Sequence, residues 1–324
     1  MGFPYGKEDR RGGIRNYNIG AIYKQGKIDV CSEIIPQNSA FKSYAGEKYF
    51  FEDREGNVFF YQVTDAIASG MLTDLDKTLI GIIATFGSAC VTSRVLKEML
   101  TMMNIQYSDN IFESSLKRLH RFHLINFSRF VVEGKEPTKM RIVTLANYGS
   151  KLAKRLGVVH RFNPMAITSA EAYAVKSRAQ TAQLISNYLK QQFVDFFAVR
   201  PVIVVDVERG AIIRPAASIT IQGSEIFFEV PRRRDGWIED LSEKLMRYEL
   251  VFEGKDTPTV VINGEDEEMN KEVAKMVEKH GYNIEILYTD DLAMFGEKFR
   301  YSLYDLSPDG TKHCFEFVAL DMAA

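Results

Sequence analysis

Residues 108–145 read SDNIFESSLKRLHRFHLINFSRFVVEGKEPTKMRIVTL. Ser108-Asp109 supplies an N-cap, and Ile111, Phe112, Ser115, Leu116, Leu119 and Phe122 recur at helical spacing. One face of that helix is therefore expected to be buried. The other face carries Ser114, Lys117, Arg118, His120 and Arg121. Two β-type runs follow, Leu124 to Val132 and Met140 to Leu145, around the polar turn Glu133-Gly134-Lys135-Glu136-Pro137. This hairpin carries Arg129, Lys135, Lys139 and Arg141.

Upstream, Thr73-Asp74 caps a helix with Leu75, Leu79, Ile80, Ile83 and Phe86 on its apolar side, ended by Gly87-Ser88. Thr92 caps another, with Val95, Leu96, Met99 and Leu100, and Asn104 to Tyr107 makes a turn. Downstream, Asn147-Tyr148-Gly149 starts a fourth helix. Helix, helix, turn, helix and hairpin are the order of a winged helix-turn-helix, here residues 71–160. Such a fold places its second motif helix in the major groove and its wing on flanking phosphates or a minor groove. The candidate DNA-binding residues are Ser114, Lys117, Arg118, His120, Arg121, Arg129, Lys135, Lys139 and Arg141.

The charge follows the same division. The 324 residues sum to −2, a near-neutral total. Residues 1–70 balance at zero, residues 71–160 hold 13 basic against 7 acidic groups, residues 161–198 stand at +2 and residues 199–324 at −10. A basic middle suits a polyanion, and an acidic end does not.

Residues 1–70 read as a Gly- and Arg-rich lead-in, including Arg10, Arg11 and Arg15, then a hairpin in which aromatic runs of KYFFEDREGNVFFYQV flank Asp53 to Asn57. Residues 161–198 read as a helical linker, able to pair between subunits or to pack within the chain. From residue 199 strands alternate with helices. PVIVVD (201–206), Ala211 to Gln222, EIFFEV (225–230), a helix from Trp237 to Leu250, TVVIN (259–263), a helix from Glu265 to His280 and NIEILY (283–288) give an α-β-β-β-α-β order and then a further α-β. That order resembles the restriction-endonuclease-like core of PD-(D/E)xK nucleases, so the fold class expected is a multidomain α+β or α/β chain, a winged helix-turn-helix followed by a restriction-endonuclease-like α/β domain.

A metal-dependent nuclease of that kind needs an acidic residue after a proline and an acidic-x-Lys on the next strand. The corresponding positions hold Pro215-Ala216 and Glu229-Val230-Pro231, so only Glu229 remains. No catalytic residue, metal or cofactor is expected. Glu265 to Glu268 read as carboxylates at a helix N-terminus, Asp290-Asp291 as a cap, and Arg232-Arg233-Arg234 as a solvated loop. Cys31, Cys90 and Cys314 form no CxxC and no even framework, which suits a reduced intracellular chain. No run reaches the roughly 18 apolar residues of a membrane helix, and MGFPYGKEDRRGG lacks the core of a secretory leader. A cytoplasmic location without membrane contact is expected.

The segment Asn110 to Leu145, the ANYGSKLAKRL helix, and EIFFEVPRRR followed by KLMRYELVF resemble the replication-relaxation family of plasmids and conjugative elements, over residues 75–290. The resemblance implies double-stranded DNA binding in plasmid replication, maintenance or transfer, with no established catalysis. The acidic C-terminal domain is expected to mediate homodimerisation or the docking of a partner. The alternatives are an active Mg-dependent DNA nuclease using Glu229, and a protein-interaction adaptor that does not bind DNA.

Overall fold

The structure, a computed structural model, describes residues 7–8, 14–15, 17–18, 41–54, 56–86, 90–158, 160, 163–168, 170–190, 194–206, 211–221, 223–293, 299 and 302–315. Arg10, Arg11, Cys31 and Gly87-Ser88 lie outside these residues.

Three short strands, β1 (Lys7–Glu8), β2 (Ile14–Arg15) and β3 (Tyr17–Asn18), precede β4 (Lys48–Phe51) and α1 (Phe60–Ala68). Next come α2 (Asp74–Thr85), β5 (Cys90–Thr92), α3 (Ser93–Met102), α4 (Asp109–Arg121), β6 (Ile125–Val131), β7 (Ile142–Leu145) and α5 (Asn147–Arg155). The helix starts follow their caps. Thr73 and Asp76 exchange bonds: the Asp76 N–H donates to Thr73 Oγ1 (3.3 Å), and the Thr73 N–H to the Asp76 carboxylate (2.7 Å). Thr92 and Ser108 cap α3 and α4. Leu79, Ile83, Leu96, Leu100, Phe112, Leu116 and Leu119 are wholly buried beneath an antiparallel sheet of order β4-β6-β7-β5.

One expectation fails here. Residues 48–63 are not a hairpin: β4 pairs with β6, Tyr49 opposite Phe130, and residues 60–68 are helical. The open edge of β6 offers β4 a ladder, while Val63 and Ala66 repeat at helical spacing and are buried. The start of α1 is held by the Phe59 N–H, which donates to Gln62 Oε1 at 2.8 Å.

After α6 (Met165–Thr168) comes α7 (Ala172–Lys190). Instead of a tether, it is buried along its length, including Lys176, Gln180, Gln183, Ser186 and Asn187. Glu98 of α3 accepts from Gln183 (3.0 Å), Ser186 (2.6 Å) and Lys190 (3.3 Å) of α7. At the other end, buried Lys176 pairs with buried Glu47 at 2.6 Å. Gln183, Ser186, Lys190 and Lys176 have thus found partners, as buried polar groups require.

Beyond it lie β8 (Phe196–Val199), β9 (Ile203–Asp206), β10 (Ala211–Ile213), β11 (Ala217–Ile221), β12 (Ser224–Glu229), α8 (Trp237–Phe252), β13 (Thr259–Gly264), α9 (Glu267–His280), β14 (Glu285–Asp290), β15 (Leu303–Leu306) and β16 (Lys312–Phe315). The sheet order is β16-β15-β14-β13-β12-β11-β8-β3, parallel across β12-β13-β14 and antiparallel elsewhere. The first core strand is β8, not residues 201–206. Arg200 turns the chain with φ +51°, Pro201 lacks a donor, and β9 pairs off the sheet with β10. Alternation sorts the strand residues to two faces. Phe228 and Val261 join the core that contains α7, while Phe227, Val260 and Ile262 join Leu245, Tyr248 and Val273 of α8 and α9. The whole is a mixed α+β architecture with α7 set between its two larger sheets.

Candidate nucleic-acid interface

The face of α4 turned from the core is set by its apolar period. With Phe112, Ser115, Leu116 and Leu119 inside, Asn110, Ser114, Lys117 and Arg121 form an exposed row at intervals of four, three and four. Ile111, expected inside, is 55% exposed beside that row. The sequence reading therefore missed Asn110 and Ile111, although the same period carried one turn further would have shown them.

The other predicted residues divide by what they touch. Arg118 donates through Nε (2.8 Å) and Nη2 (3.1 Å) to both oxygens of Asp76, and Nη2 also reaches Ser115 (3.2 Å). Arg141 pairs with Glu113 at 2.9 Å and lies 4.0 Å from the Phe127 ring centroid. Arg129 pairs with Glu52 at 2.5 Å across β6 and β4. These three arginines join elements, and their charge is matched. His120 stacks on Phe127 at 4.5 Å. Burial, then the charge of Arg54, holds its imidazole below the usual value, so the ring is neutral near pH 7. On the hairpin tip Lys135 leans over Tyr44 and Lys139 is exposed, but Glu133 and Glu136 are exposed with them. The tip is charge-balanced. Three exposed cations of α5, Lys151, Lys154 and Arg155, were not singled out from the sequence, and two of them lie over Phe60.

In the C-terminal half the nuclease-like positions do come together. The Ala216 N–H donates to Phe228 O at 2.9 Å, beside Glu229. Glu229 is buried, and its carboxylate accepts from Lys244 Nζ (2.5 Å) and Tyr248 OH (2.7 Å). Burial pushes this carboxyl up, with Lys244 and Tyr248 drawing it back down. A divalent cation wants several free oxygen ligands. Here one carboxylate already holds an ammonium, and among the described residues no group of three His, Cys, Asp or Glu could hold a metal. The donor set does not fit Mg²⁺.

The arginine run is no solvated loop. Arg232 is buried against Asp291 at 2.9 Å, Arg233 pairs with Glu272 at 2.8 Å, and Arg234 pairs with Asp240. Asp291 thus serves an internal ion pair, while Asp290 caps the following turn through Leu292 N (3.0 Å) and Ala293 N (2.9 Å). Asp266 caps α9, with Glu267 and Glu268 in its first turn. Among the described residues Cys90 is buried, Cys314 exposed and both are free. No helix among them is long and apolar enough to cross a membrane.

No family model and no curated protein matches the chain. Among solved structures, protein VC1899 from Vibrio cholerae is similar over 77% of this chain and 56% of its own, at 10% identity and a TM-score of 0.30. The chain thus spans a little over half the length of that structure, and a likeness at this level carries no argument about fold or function.

Proposed function

We propose that the N-terminal half is a winged helix-turn-helix that binds double-stranded DNA, and that the chain does so without cleaving it. The observation that carries this reading is the exposed row Asn110, Ser114, Lys117 and Arg121 on α4, in a segment whose charge is +6. Arg presents a bidentate donor and Asn a donor–acceptor pair suited to base edges, Lys and Ser suit phosphates, and Ile111 beside them suits a thymine methyl. Arg118, Arg129 and Arg141 hold the reading helix and hairpin in place rather than reach outward. One chain supplies this whole surface, so duplex binding does not require the homodimer expected from sequence. Glu229, the acidic residue left at the nuclease-like positions, is held by Lys244 and Tyr248, which is why binding and not hydrolysis is proposed. The setting we propose, control of plasmid replication, maintenance or transfer, rests on the resemblance of the sequence to the replication-relaxation family.

The test is an anisotropy titration of duplex DNA against salt, in buffer containing Mg²⁺. The affinity should fall with salt, and the duplex should be recovered intact. Replacing Lys117 and Arg121 together by Ala should flatten the log–log salt slope by about 2, since each lost phosphate contact removes roughly 0.9. An unchanged slope and affinity in that double variant overturns the reading. Cleaved duplex overturns its non-enzymatic part.

A further inference from the structure

A cavity of about 460 Å³ opens between α7, the loop at residues 214–216, the end of β12 and the start of α8. Its size is that of a small-molecule site. Six cationic side chains line it: Arg178, Arg200, Arg214, Arg232, Arg234 and Lys244. Only two carboxylates do, Glu229 and Asp240. Lys244 consumes Glu229, Arg234 consumes Asp240, and Arg232 turns to Asp291. Among the described residues, no carboxylate makes an ion pair with Arg178, Arg200 or Arg214. Arg178 meets the thiol of Cys90, but burial pushes that thiol up to about 12, so the partner is neutral. After the larger effect of its own burial, Arg200 feels Arg178 and Arg214 as like charges, set against the Glu229 carboxylate. It is also held at φ +51°, a conformation uncommon for a residue with a side chain and concentrated at ligand sites.

Three guanidiniums gathered at one opening repel one another, and Glu229, which already holds Lys244, offsets this only in part. An anion placed among them relieves the repulsion. The remaining wall narrows the choice of anion. Tyr173 and Trp237 border the cavity, and the Arg234 guanidinium already stacks 4.7 Å from the Tyr173 ring. Guanidinium forks match phosphate oxygens, and aromatic and guanidinium planes accept a base. We propose that this cavity binds a nucleotide, its phosphate on Arg178, Arg200 and Arg214 and its base against Tyr173 and Trp237. The shared chemistry is a phosphate beside a flat ring, supplied by a free mononucleotide or by the end of a strand. The site is separate from α4 and stands whether or not α4 reads DNA.

Trp237 is the single tryptophan of the chain, so its fluorescence reports on the cavity. Inorganic phosphate, AMP and a ten-nucleotide oligothymidine should be titrated into the full-length protein. AMP or the oligonucleotide should change the emission saturably, binding at least tenfold tighter than phosphate. The tighter of the two identifies the source. The paired variant Arg200→Glu with Arg214→Glu, checked for an unchanged circular dichroism spectrum, should weaken binding at least tenfold while leaving duplex affinity intact. Lys117→Ala with Arg121→Ala should do the reverse. No saturable change with any of the three ligands overturns the proposal, as does unaltered binding in the Arg200/Arg214 variant. Phosphate binding as tightly as AMP overturns the assignment to a nucleotide.

Discussion

The guanidinium of Arg118 spans both oxygens of Asp76, a carboxylate only 1% exposed at the start of α2. Charge alone makes Arg118 indistinguishable from its neighbour Lys117 in the sequence. Its role follows from a partner 42 positions earlier, which no local pattern reveals. Arg118→Ala would leave Asp76 buried against only the N–H (2.7 Å) and hydroxyl (2.9 Å) of Thr73, with no cation. Because Arg118 is partly exposed, the loss should be about 2 kcal/mol, below the range for a fully buried pair. Urea denaturation should show a lowered midpoint for Arg118→Ala and an unchanged one for Lys117→Ala. Equal midpoints for Arg118→Ala and the parent would mean that the pair contributes nothing. Lys244 tells a similar story: nothing in the spacing of EIFFEVPRRR announces that a lysine fifteen residues further on will occupy the Glu229 carboxylate.

At the scale of elements, capping chemistry was the most legible signal. Thr73, Thr92 and Ser108 each start a helix as their side chains suggest, because a cap bond closes within three residues. Strand pairing was not legible. The run at 48–51 is equally good as half of a hairpin or as an edge partner for β6, and only the tertiary neighbour decides. Phe196–Val199 was overlooked for a related reason, being four residues next to a longer apolar run that in fact leaves the sheet. The seating of α5 gives a direct test of element packing. A Cβ on Gly149 would run into the carbonyl oxygen of Leu124 and come within 2.9 Å of its carbon, and that oxygen already accepts from Ala146 N–H. Alanine favours a helix interior over glycine by about 1 kcal/mol. A clash with backbone costs about 2–3 kcal/mol and should win. Gly149→Ala is therefore expected to destabilise, as read by thermal unfolding; a raised melting temperature would show that α5 is free to shift.

For the molecule as a whole, the charge split was readable and the joining of its halves was not. Composition separated a basic segment from an acidic one, yet residues 161–198 carry no mark saying whether their helix is a tether or a core. The structure makes α7 part of a continuous apolar core that takes in Leu96, Phe130, Tyr188, Ile219 and Phe228 together. Two halves that share a core should unfold together. Denaturation followed by far-ultraviolet circular dichroism and by Trp237 emission should give coincident midpoints. Transitions separated by more than the experimental error would contradict the shared core.

The burial of α7 along all but the stretch of Tyr173, Ala174, Ser177 and Arg178 that borders the cavity has a consequence for how this chain can change. A helix with a solvent face absorbs an inserted residue by letting its ends slip. In α7 one added residue would turn everything after it by about 100° relative to what came before. Glu98 would then confront the wrong row of side chains, and Arg178 would leave its opening for the opposite wall. The helix therefore works as a keyed shaft between two sockets: its length is fixed, its angular setting is fixed, and neither half can be exchanged for a foreign module unless the replacement is cut to the same key.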